Sequence, residues 1–183
     1  MINFIQFVYR VFILAFALYA GASTARAQTD CEDSGASGNF SITIDTVATN
    51  IGLITDLTGA TIDLTGYSTY QLYLQCEASN DLLQAVAGDN VTPASITTTT
   101  SFYQAELGST SESNPALFLA YPQVEYDSFL SIGLEAIADA NAGESPTQIA
   151  EDSNVLPISG AFENGENLII DSTTGSTWYI ADA

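Results

Sequence analysis

Three acidic turns contain the residues best suited to bind a metal ion. The tetrapeptide Asp-Leu-Thr-Gly begins at Asp56 and again at Asp63, and a looser form, Asp-Ser-Thr-Thr-Gly, begins at Asp171. Such a segment favours a turn, because the carboxylate accepts hydrogen bonds from nearby backbone N–H groups and glycine adopts positive φ. Calcium binds carboxylate and carbonyl oxygens that turns present. We expect structural turns here, with Asp56, Asp63 and Asp171 as candidate calcium ligands, and no other cofactor.

One pair of acids has the spacing for acid–base chemistry. Glu125 and Asp127 occupy alternate positions of a predicted strand, which would set both carboxylates on one face. Glycoside hydrolysis needs only two carboxylates about 5–10 Å apart. The chain has no histidine, so Ser-His-Asp and Cys-His nucleophiles cannot be built. A carboxylate-only glycosidase is the one enzyme class that composition leaves open. We expect a non-enzymatic protein, because paired acids arise by chance in so acidic a chain.

The two cysteines, Cys31 and Cys76, are candidates for a disulfide. Paired thiols usually oxidise in exported proteins. A bridge would close a loop of about 45 residues and stabilise the fold by roughly 4 kcal/mol on a chain-entropy argument. Two free buried thiols and a metal site are the alternatives. The metal site is disfavoured because two cysteines without histidine make a poor zinc set.

Residues 1–27 have the pattern of a secretory signal peptide. A single charge, Arg10, precedes an apolar run over residues 11–22, and the segment ends in Ala-Arg-Ala before Gln28. This order is typical of a leader with an A-x-A cleavage site. An uncleaved membrane anchor is the alternative, but the apolar run is shorter than the roughly 20 residues that span a bilayer. We expect a protein exported to the periplasm, the cell surface or the extracellular space.

The exported chain carries only negative charge. The full chain has 22 acidic and 2 basic side chains, and both basic ones, Arg10 and Arg26, lie in the leader. Removal of residues 1–27 leaves a formal charge of −22. Without cations the chain cannot neutralise phosphates, which excludes nucleic-acid binding and polybasic membrane contacts. Because salt screens self-repulsion, this composition indicates salty or divalent-rich surroundings such as sea water, cation binding, or simple solubility.

Apolar and polar residues alternate through much of the chain, and this alternation predicts β-strands. Phe40, Ile42 and Ile44 share one face of the first such segment. Further alternating segments cover residues 69–76, 95–103, 129–134, 167–171 and 176–180, the last two as a closing hairpin. Short helical turns are expected at residues 135–142 and 147–152.

Short strands separated by turn signals predict an all-β fold, an antiparallel β-sandwich of the jelly-roll or immunoglobulin-like type. We expect the signal peptide over residues 1–27, a polar tail over 28–38 and a single sandwich domain over 39–183. Residues 176–180 are predicted to form an edge strand that could pair with a neighbouring molecule.

Ten aromatic residues would either fill the core or form a platform for stacking sugars. Core filling is favoured because aromatic residues are ordinary strand formers. The ten are Tyr67, Tyr70, Tyr73, Phe102, Tyr103, Tyr121, Tyr126, Phe129, Trp178 and Tyr179.

Five segments of the chain form a recognisable set. The two longest are Gly-Tyr-Ser-Thr-Tyr-Gln-Leu-Tyr at residues 66–73 and Pro-Gln-Val-Glu-Tyr-Asp-Ser-Phe at 122–129. The shorter ones are Thr-Ser-Phe-Tyr-Gln at 100–104, Ile-Gly at 132–133 and Gly-Ser-Thr-Trp-Tyr at 175–179. Together they resemble a β-rich module of exported, surface-located proteins of marine bacteria. The resemblance covers about residues 39–181 and implies a surface protein, without assigning catalytic or binding residues.

We therefore expect a structural or adhesive protein of the cell surface or extracellular matrix. Its partners would be polysaccharide or other surface proteins, and self-association is open to it. A carbohydrate- or calcium-binding module is one alternative, and a carboxylate-only glycoside hydrolase is the other.

Overall fold

The computed structural model describes residues 8–17, 41–75, 83–139, 141–151 and 158–181. Within these ranges the chain consists of short strands joined by long loops. One short helix, α1 (Ile158–Glu163), and two 3-10 turns, Pro115–Leu117 and Pro122–Tyr126, accompany the strands. The strands are β1 (Val8–Ala17), β2 (Ser41–Thr49), β3 (Gly52–Thr55), β4 (Thr61–Leu64), β5 (Tyr67–Gln75), β6 (Ala85–Gly88), β7 (Ala94–Ile96), β8 (Thr147–Ala150), β9 (Leu168–Ile170) and β10 (Ser176–Ile180).

The prediction of an all-β fold is confirmed, since strands make up 37% of the structure and helices 10%. Within the described ranges the strands form small sheets in the orders β1-β5-β2, β6-β10-β8, β3-β4 and β7-β9. The paired strands in each of these sheets run antiparallel.

The sheet β1-β5-β2 contains the longest strands of the described chain. β2 and β5 are each 9 residues long and pair from Ser41↔Gln75 to Thr49↔Ser68. Both strands are rich in threonine, isoleucine, leucine or tyrosine, which fit a pleated backbone. Strands were predicted at both places, and the structure confirms them.

A hydrophobic core forms where β5 meets the second half of the chain. Leu130 and Phe162 are each 0% exposed, and the rings of Phe102 and Phe162 lie 5.2 Å apart between centroids. Side chains from β5, β6, β7, β8 and β10 pack against this core. The buried cluster consists of Phe102, Leu130, Ile132, Phe162, Leu168, Ile170 and Trp178.

Two predictions about the C-terminal strands are wrong. β9 and β10 do not form a hairpin, because β9 pairs with β7 while β10 lies between β6 and β8. β10 (Ser176–Ile180) is therefore a central strand and not the predicted edge strand. Its partners begin at Ala85 and Thr147, far away in the chain, and a local pattern does not reveal pairing over such distances.

Other segments also differ from expectation. Residues 129–134 alternate as a strand would, yet they form an irregular, largely buried segment. A strand was predicted at 95–103, but β7 covers Ala94–Ile96 and overlaps that range only at Ser95 and Ile96. Residues 147–150 form β8 where a helical turn was expected, and residues 135–139 contain bends and a β-bridge from Ala136 to Ser113. Alternation alone does not separate a strand from a buried loop.

Several predictions concern residues outside the described ranges. Cys31, Cys76 and the polar tail over 28–38 lie there, so the disulfide stays a prediction. Part of the predicted leader is described, as strand β1. Within the described ranges, no helix has the length and apolar character needed to cross a bilayer.

Candidate functional site

The first candidate calcium ligand, Asp56, organises the turn between β3 and β4. Its Oδ1 accepts hydrogen bonds from Thr58 N at 2.8 Å, Thr58 Oγ1 at 2.6 Å and Ala60 N at 3.0 Å. Gly59 has φ 86°, a left-handed conformation that suits glycine. The Thr58 hydroxyl, followed by backbone N–H groups, lowers the pKa of Asp56, because these donors favour the ionised carboxylate. The predicted structural turn is confirmed here.

The other two candidates, Asp63 and Asp171, lie beside different strands. Asp63 is the next-to-last residue of β4, and its Oδ1 accepts a hydrogen bond from Thr65 N at 2.9 Å. The side chain and backbone of Thr65 lower the pKa of Asp63. Asp171 follows β9 and is exposed. Among the described residues, no group of three or more His, Cys, Asp or Glu residues is arranged to hold a metal ion. The calcium site at Asp56, Asp63 and Asp171 stays a prediction.

Asp89 forms a similar turn after β6 that was not among the candidates. Its Oδ1 accepts hydrogen bonds from Val91 N at 2.7 Å and Thr92 N at 2.6 Å. The backbone N–H of Thr92, then that of Val91, lowers the pKa of Asp89. The sequence Gly-Asp-Asn at residues 88–90 predicts a turn, and the structure confirms that turn, although no ligand role was predicted for Asp89.

Asp89 and Glu151 line an open cleft of about 550 Å³ at one end of the sheet β6-β10-β8. Each carboxylate already accepts backbone hydrogen bonds, and Glu151 Oε1 receives one from Ser159 N at 2.9 Å. Threonine hydroxyl groups supply further polar atoms in the lining, from Thr92, Thr174 and Thr177. The cleft therefore combines two carboxylates and three hydroxyl groups with apolar surface from residues such as Ala87 and Ala150.

Asp127 is a buried carboxylate, 4% exposed, that closes a loop by hydrogen bonding. Its Oδ1 accepts from Ala105 N at 2.7 Å and its Oδ2 accepts from Ser109 N at 2.8 Å. Burial raises the pKa of Asp127 to about 7, and the charge of Glu163 adds to the rise, while the backbone donors oppose it. A Cβ atom at Gly108 would overlap the Asp127 carboxylate. The loop can close this tightly because position 108 is glycine.

The prediction that Glu125 and Asp127 share one face of a strand is wrong. Glu125 lies in the 3-10 turn Pro122–Tyr126 and is exposed, while Asp127 follows that turn and is buried. A 3-10 turn has three residues per turn, so positions two apart point to different sides. Both oxygens of Asp127 are also held by N–H groups. The two acids do not face one reaction space.

Glu112 is a second buried carboxylate that the sequence analysis missed. It is 6% exposed, and its Oε1 accepts a hydrogen bond from Thr147 N at 2.5 Å. The Thr147 Oγ1 in turn accepts from Ile132 N at 3.0 Å. Glu112 thus connects a loop, the start of β8 and the core. Its partners lie far along the chain, so no local motif indicates this role.

The ten aromatic residues named above fall into two groups, three buried in the core and seven tyrosines that are partly buried. Phe102, Phe129 and Trp178 are 3%, 5% and 2% exposed, which confirms core filling for these three. The seven predicted tyrosines are partly buried. The Tyr67 and Tyr103 rings meet edge to face with centroids 6.1 Å apart. Burial, aided by the nearby Asp127 charge, raises the pKa of Tyr103 to about 12, so its hydroxyl stays protonated at neutral pH.

Strand β2 is the most exposed of the strands whose burial the structure describes. Eight of its nine residues are exposed, and Ile42, Ile44 and Val47 are 44%, 46% and 57% exposed. β2 pairs with β5 on one side and ends the described sheet on the other. Alternating strands normally bury their apolar face. We refer to the exposed side chains of Ile42, Ile44 and Val47 as the β2 surface.

An apolar cavity of about 510 Å³ adjoins the β2 surface. It separates part of β2 and β5 from the strands of the other sheets. The indole N–H of Trp178, which lines the cavity, is buried without a hydrogen-bond partner. Incomplete packing of this sheet therefore accompanies the exposure of β2. Other lining residues include Ile42, Leu72, Leu74, Val86 and Ile96.

Comparison of the chain with protein-family profiles, curated proteins and solved structures finds no match in any of the three. The geometry of the described residues is therefore the basis for assigning a function.

Proposed function

We propose that the exported chain is a non-enzymatic structural or adhesive protein of the cell surface or extracellular matrix, and that copies associate through β2. The observation that carries this proposal is the exposure of Ile42 and Ile44, at 44% and 46%, on a strand at the edge of its described sheet. Edge strands present unpaired backbone groups that another chain can bind, and apolar side chains on them favour that binding.

An antiparallel β-sandwich is the architecture that we propose for the domain. The core supports it, because side chains of β5 from one sheet and of β6, β8 and β10 from another pack against the same cluster. Inner faces of two sheets pack in this way in sandwiches. The proposed arrangement leaves β2 at the end of one layer, where its outer edge is accessible.

The distribution of charge also supports association in salty surroundings. β2 and β5 together contain one charged residue, Asp45, in a chain with 22 acidic side chains. Repulsion between copies acts over the Debye length, about 10 Å at 0.1 M salt and about 3 Å at 1 M. Salt therefore weakens the repulsion and leaves the short-range contacts of the two nearly uncharged strands.

The enzymatic alternative has less support. Histidine is absent, and both basic residues lie in the predicted leader. The oxygens of Asp127 are occupied by two backbone donors, and Glu125 points elsewhere. A carbohydrate- or calcium-binding role would belong to the cleft beside Asp89 and Glu151.

Sedimentation of residues 28–183 at sea-water ionic strength tests the proposal. We expect the average mass to rise with protein concentration. The double variant Ile42→Glu/Ile44→Glu adds charge to the β2 surface and removes apolar contact area. We expect it to lower the association constant about 10-fold or more.

The matched control is Leu53→Glu/Leu119→Glu, which adds the same charge at leucines that are 69% and 85% exposed outside β2. We expect a change of less than about 2-fold from this control, since the added repulsion is screened. A wild-type chain that stays a monomer at every concentration, or equal losses in both double variants, would contradict the proposal.

A further inference from the structure

The apolar cavity beside the β2 surface is lined from two sides by different sheets. On one side are Ile42 and Leu74, which stand opposite each other in the β2–β5 register, together with Leu72 of β5. On the other side are Val86 and Trp178, which stand opposite each other in the β6–β10 register. The cavity therefore separates side chains of the sheet β1-β5-β2 from side chains of the sheet β6-β10-β8.

The size and the lining of this cavity suit a small apolar molecule. Its volume of about 510 Å³ lies within the range of about 300–1,000 Å³ that is usual for ligand sites. None of the described residues that line it is charged, and most of them are aliphatic. Ile42 lines the cavity and is 44% exposed, so the cavity reaches the surface of the described chain beside β2. A ligand can therefore enter while the core stays folded.

One polar group in the lining has no partner. Trp178 is 2% exposed, and its indole N–H is buried without a hydrogen-bond partner. Such a donor is costly to bury, because it has given up its hydrogen bonds to water and gained none in return. The indole nitrogen donates and does not accept. The group that would satisfy it is therefore a hydrogen-bond acceptor on an otherwise apolar molecule.

We propose that this cavity binds a neutral, apolar molecule that carries a hydrogen-bond acceptor, a fatty-acid ester being the simplest example, and that Trp178 donates to the acceptor. The ligand would fill the space between the two sheets and would supply the partner that the indole N–H lacks. This inference goes beyond the proposed function and does not depend on association through β2.

Charge favours a neutral ligand over an anionic one. A fatty acid would bring its carboxylate to a lining in which none of the described residues is a cation. Burying a charge without a partner costs far more than burying an ester carbonyl, for which one donor suffices. The 22 acidic side chains of the chain, against 2 basic ones, also repel an anion as it approaches. The ester is therefore favoured over the acid of the same chain length.

Calorimetric titration of the full chain 1–183 with methyl octanoate and with octanoate tests the class of ligand. The two probes have the same acyl chain and differ in charge. We expect one ester molecule to bind per chain with a dissociation constant of about 100 µM or tighter, and octanoate to bind at least about 10-fold more weakly. Equal affinities for the two probes, or no saturable binding of the ester, would overturn the proposal.

The variants Val86→Phe and Val91→Phe form a matched pair that locates the site. Val86 lines the cavity, whereas Val91 lies in the turn after β6 and is 82% exposed. A phenylalanine at position 86 would take up part of the cavity, so we expect Val86→Phe to weaken ester binding at least about 10-fold. Val91→Phe should change ester binding by less than about 2-fold. Equal binding by the two variants would show that the ester lies elsewhere, which contradicts the proposal.

The indole N–H of Trp178 reports the proposed hydrogen bond directly. Trp178 is the only tryptophan of the chain, so a proton–nitrogen correlation spectrum contains a single indole resonance. We expect methyl octanoate to move the indole proton downfield, because hydrogen bonding deshields it. Trp178→Phe removes the donor and should weaken ester binding about 2- to 12-fold.

An indole resonance that does not move at saturating ester would overturn the proposal. This spectrum is recorded on the wild-type chain, so the result does not depend on whether a variant folds. Sedimentation without ester measures association separately, so failure of the ester to bind leaves association through β2 standing.

Discussion

Strand β2 and the loop region of residues 102–132 reverse the usual relation between hydrogen bonding and burial. β2 is a regular strand in which eight of nine residues are exposed. The loop region has little regular structure, yet Leu130 and Ile132 are 0% and 2% exposed. Secondary structure alone therefore does not identify the stable part of this molecule.

Buried carboxylates make the loop region possible. Irregular backbone is costly to bury unless its polar groups find partners. Asp127 accepts the N–H groups of Ala105 and Ser109, and Glu112 accepts that of Thr147. These side chains satisfy backbone donors that a sheet would satisfy with carbonyl groups. The loops can then carry core side chains such as Leu130.

The largest effect should come from a cavity in the loop region. Leu130→Ala removes a completely buried side chain, and we expect it to lower the free energy of unfolding by about 2–5 kcal/mol. Leu119→Ala, at a leucine 85% exposed, is the control and should change it by less than about 0.5 kcal/mol. Urea denaturation measures both. Similar losses would show that the loop region is not the stable part.

A smaller effect is expected where the loop closes on Asp127. Gly108→Ala would force a methyl group into the space of the carboxylate, and we expect a loss of roughly 1–3 kcal/mol in the free energy of unfolding. In the control Gly160→Ala, the new Cβ meets no atom within 4 Å, and its position in α1 favours alanine. If Gly108→Ala is as stable as Gly160→Ala, the close approach of Gly108 to Asp127 is not needed for loop closure.

The smallest effect is a change in how stability depends on pH. Because the pKa of Asp127 is raised from 3.8 to about 7, its contribution to stability is complete below 3.8 and is lost as pH rises through about 7. Asp127→Asn should remove this fall in stability with rising pH. It should also lower the free energy of unfolding by about 1–2 kcal/mol, because one hydrogen-bond acceptor is lost.

Asp56→Asn is the control with the opposite sign. The lowered pKa of Asp56 gives a contribution that is present above 3.8 and is lost as pH falls through the lowered value. The two variants should therefore differ from wild type in opposite directions along a pH series of thermal melts. An unchanged pH profile in Asp127→Asn would contradict the assignment of the raised pKa.

Local sequence pattern predicted the elements that depend on near neighbours. The alternation around Ile42 and Ile44 predicted β2. The Asp-Leu-Thr-Gly repeats predicted the turns at Asp56 and Asp63, because a turn is closed by donors within a few residues. The same reasoning could not reveal that β2 remains uncovered, since exposure depends on what packs against a strand.

Distant contacts explain the remaining differences. The pattern around Ile132 has the same period as a strand, yet Ile132 N bonds to a threonine side chain at position 147. Asp127 was predicted to face Glu125, but its partners come from residues 105–109. Contacts over such separations leave no periodic mark in a single sequence.

The bonds of Asp127 and Glu112 carry a consequence for how this chain can vary. Beyond Arg26 the chain contains no lysine, arginine or histidine, and the described partners of the buried acids Asp127 and Glu112 are backbone N–H groups. An amide is present at every residue except proline. The side chains of Ala105 and Ser109 therefore take no part in binding Asp127. Proline is the one residue that, at either position, would remove the N–H donor and leave a carboxylate oxygen without its partner.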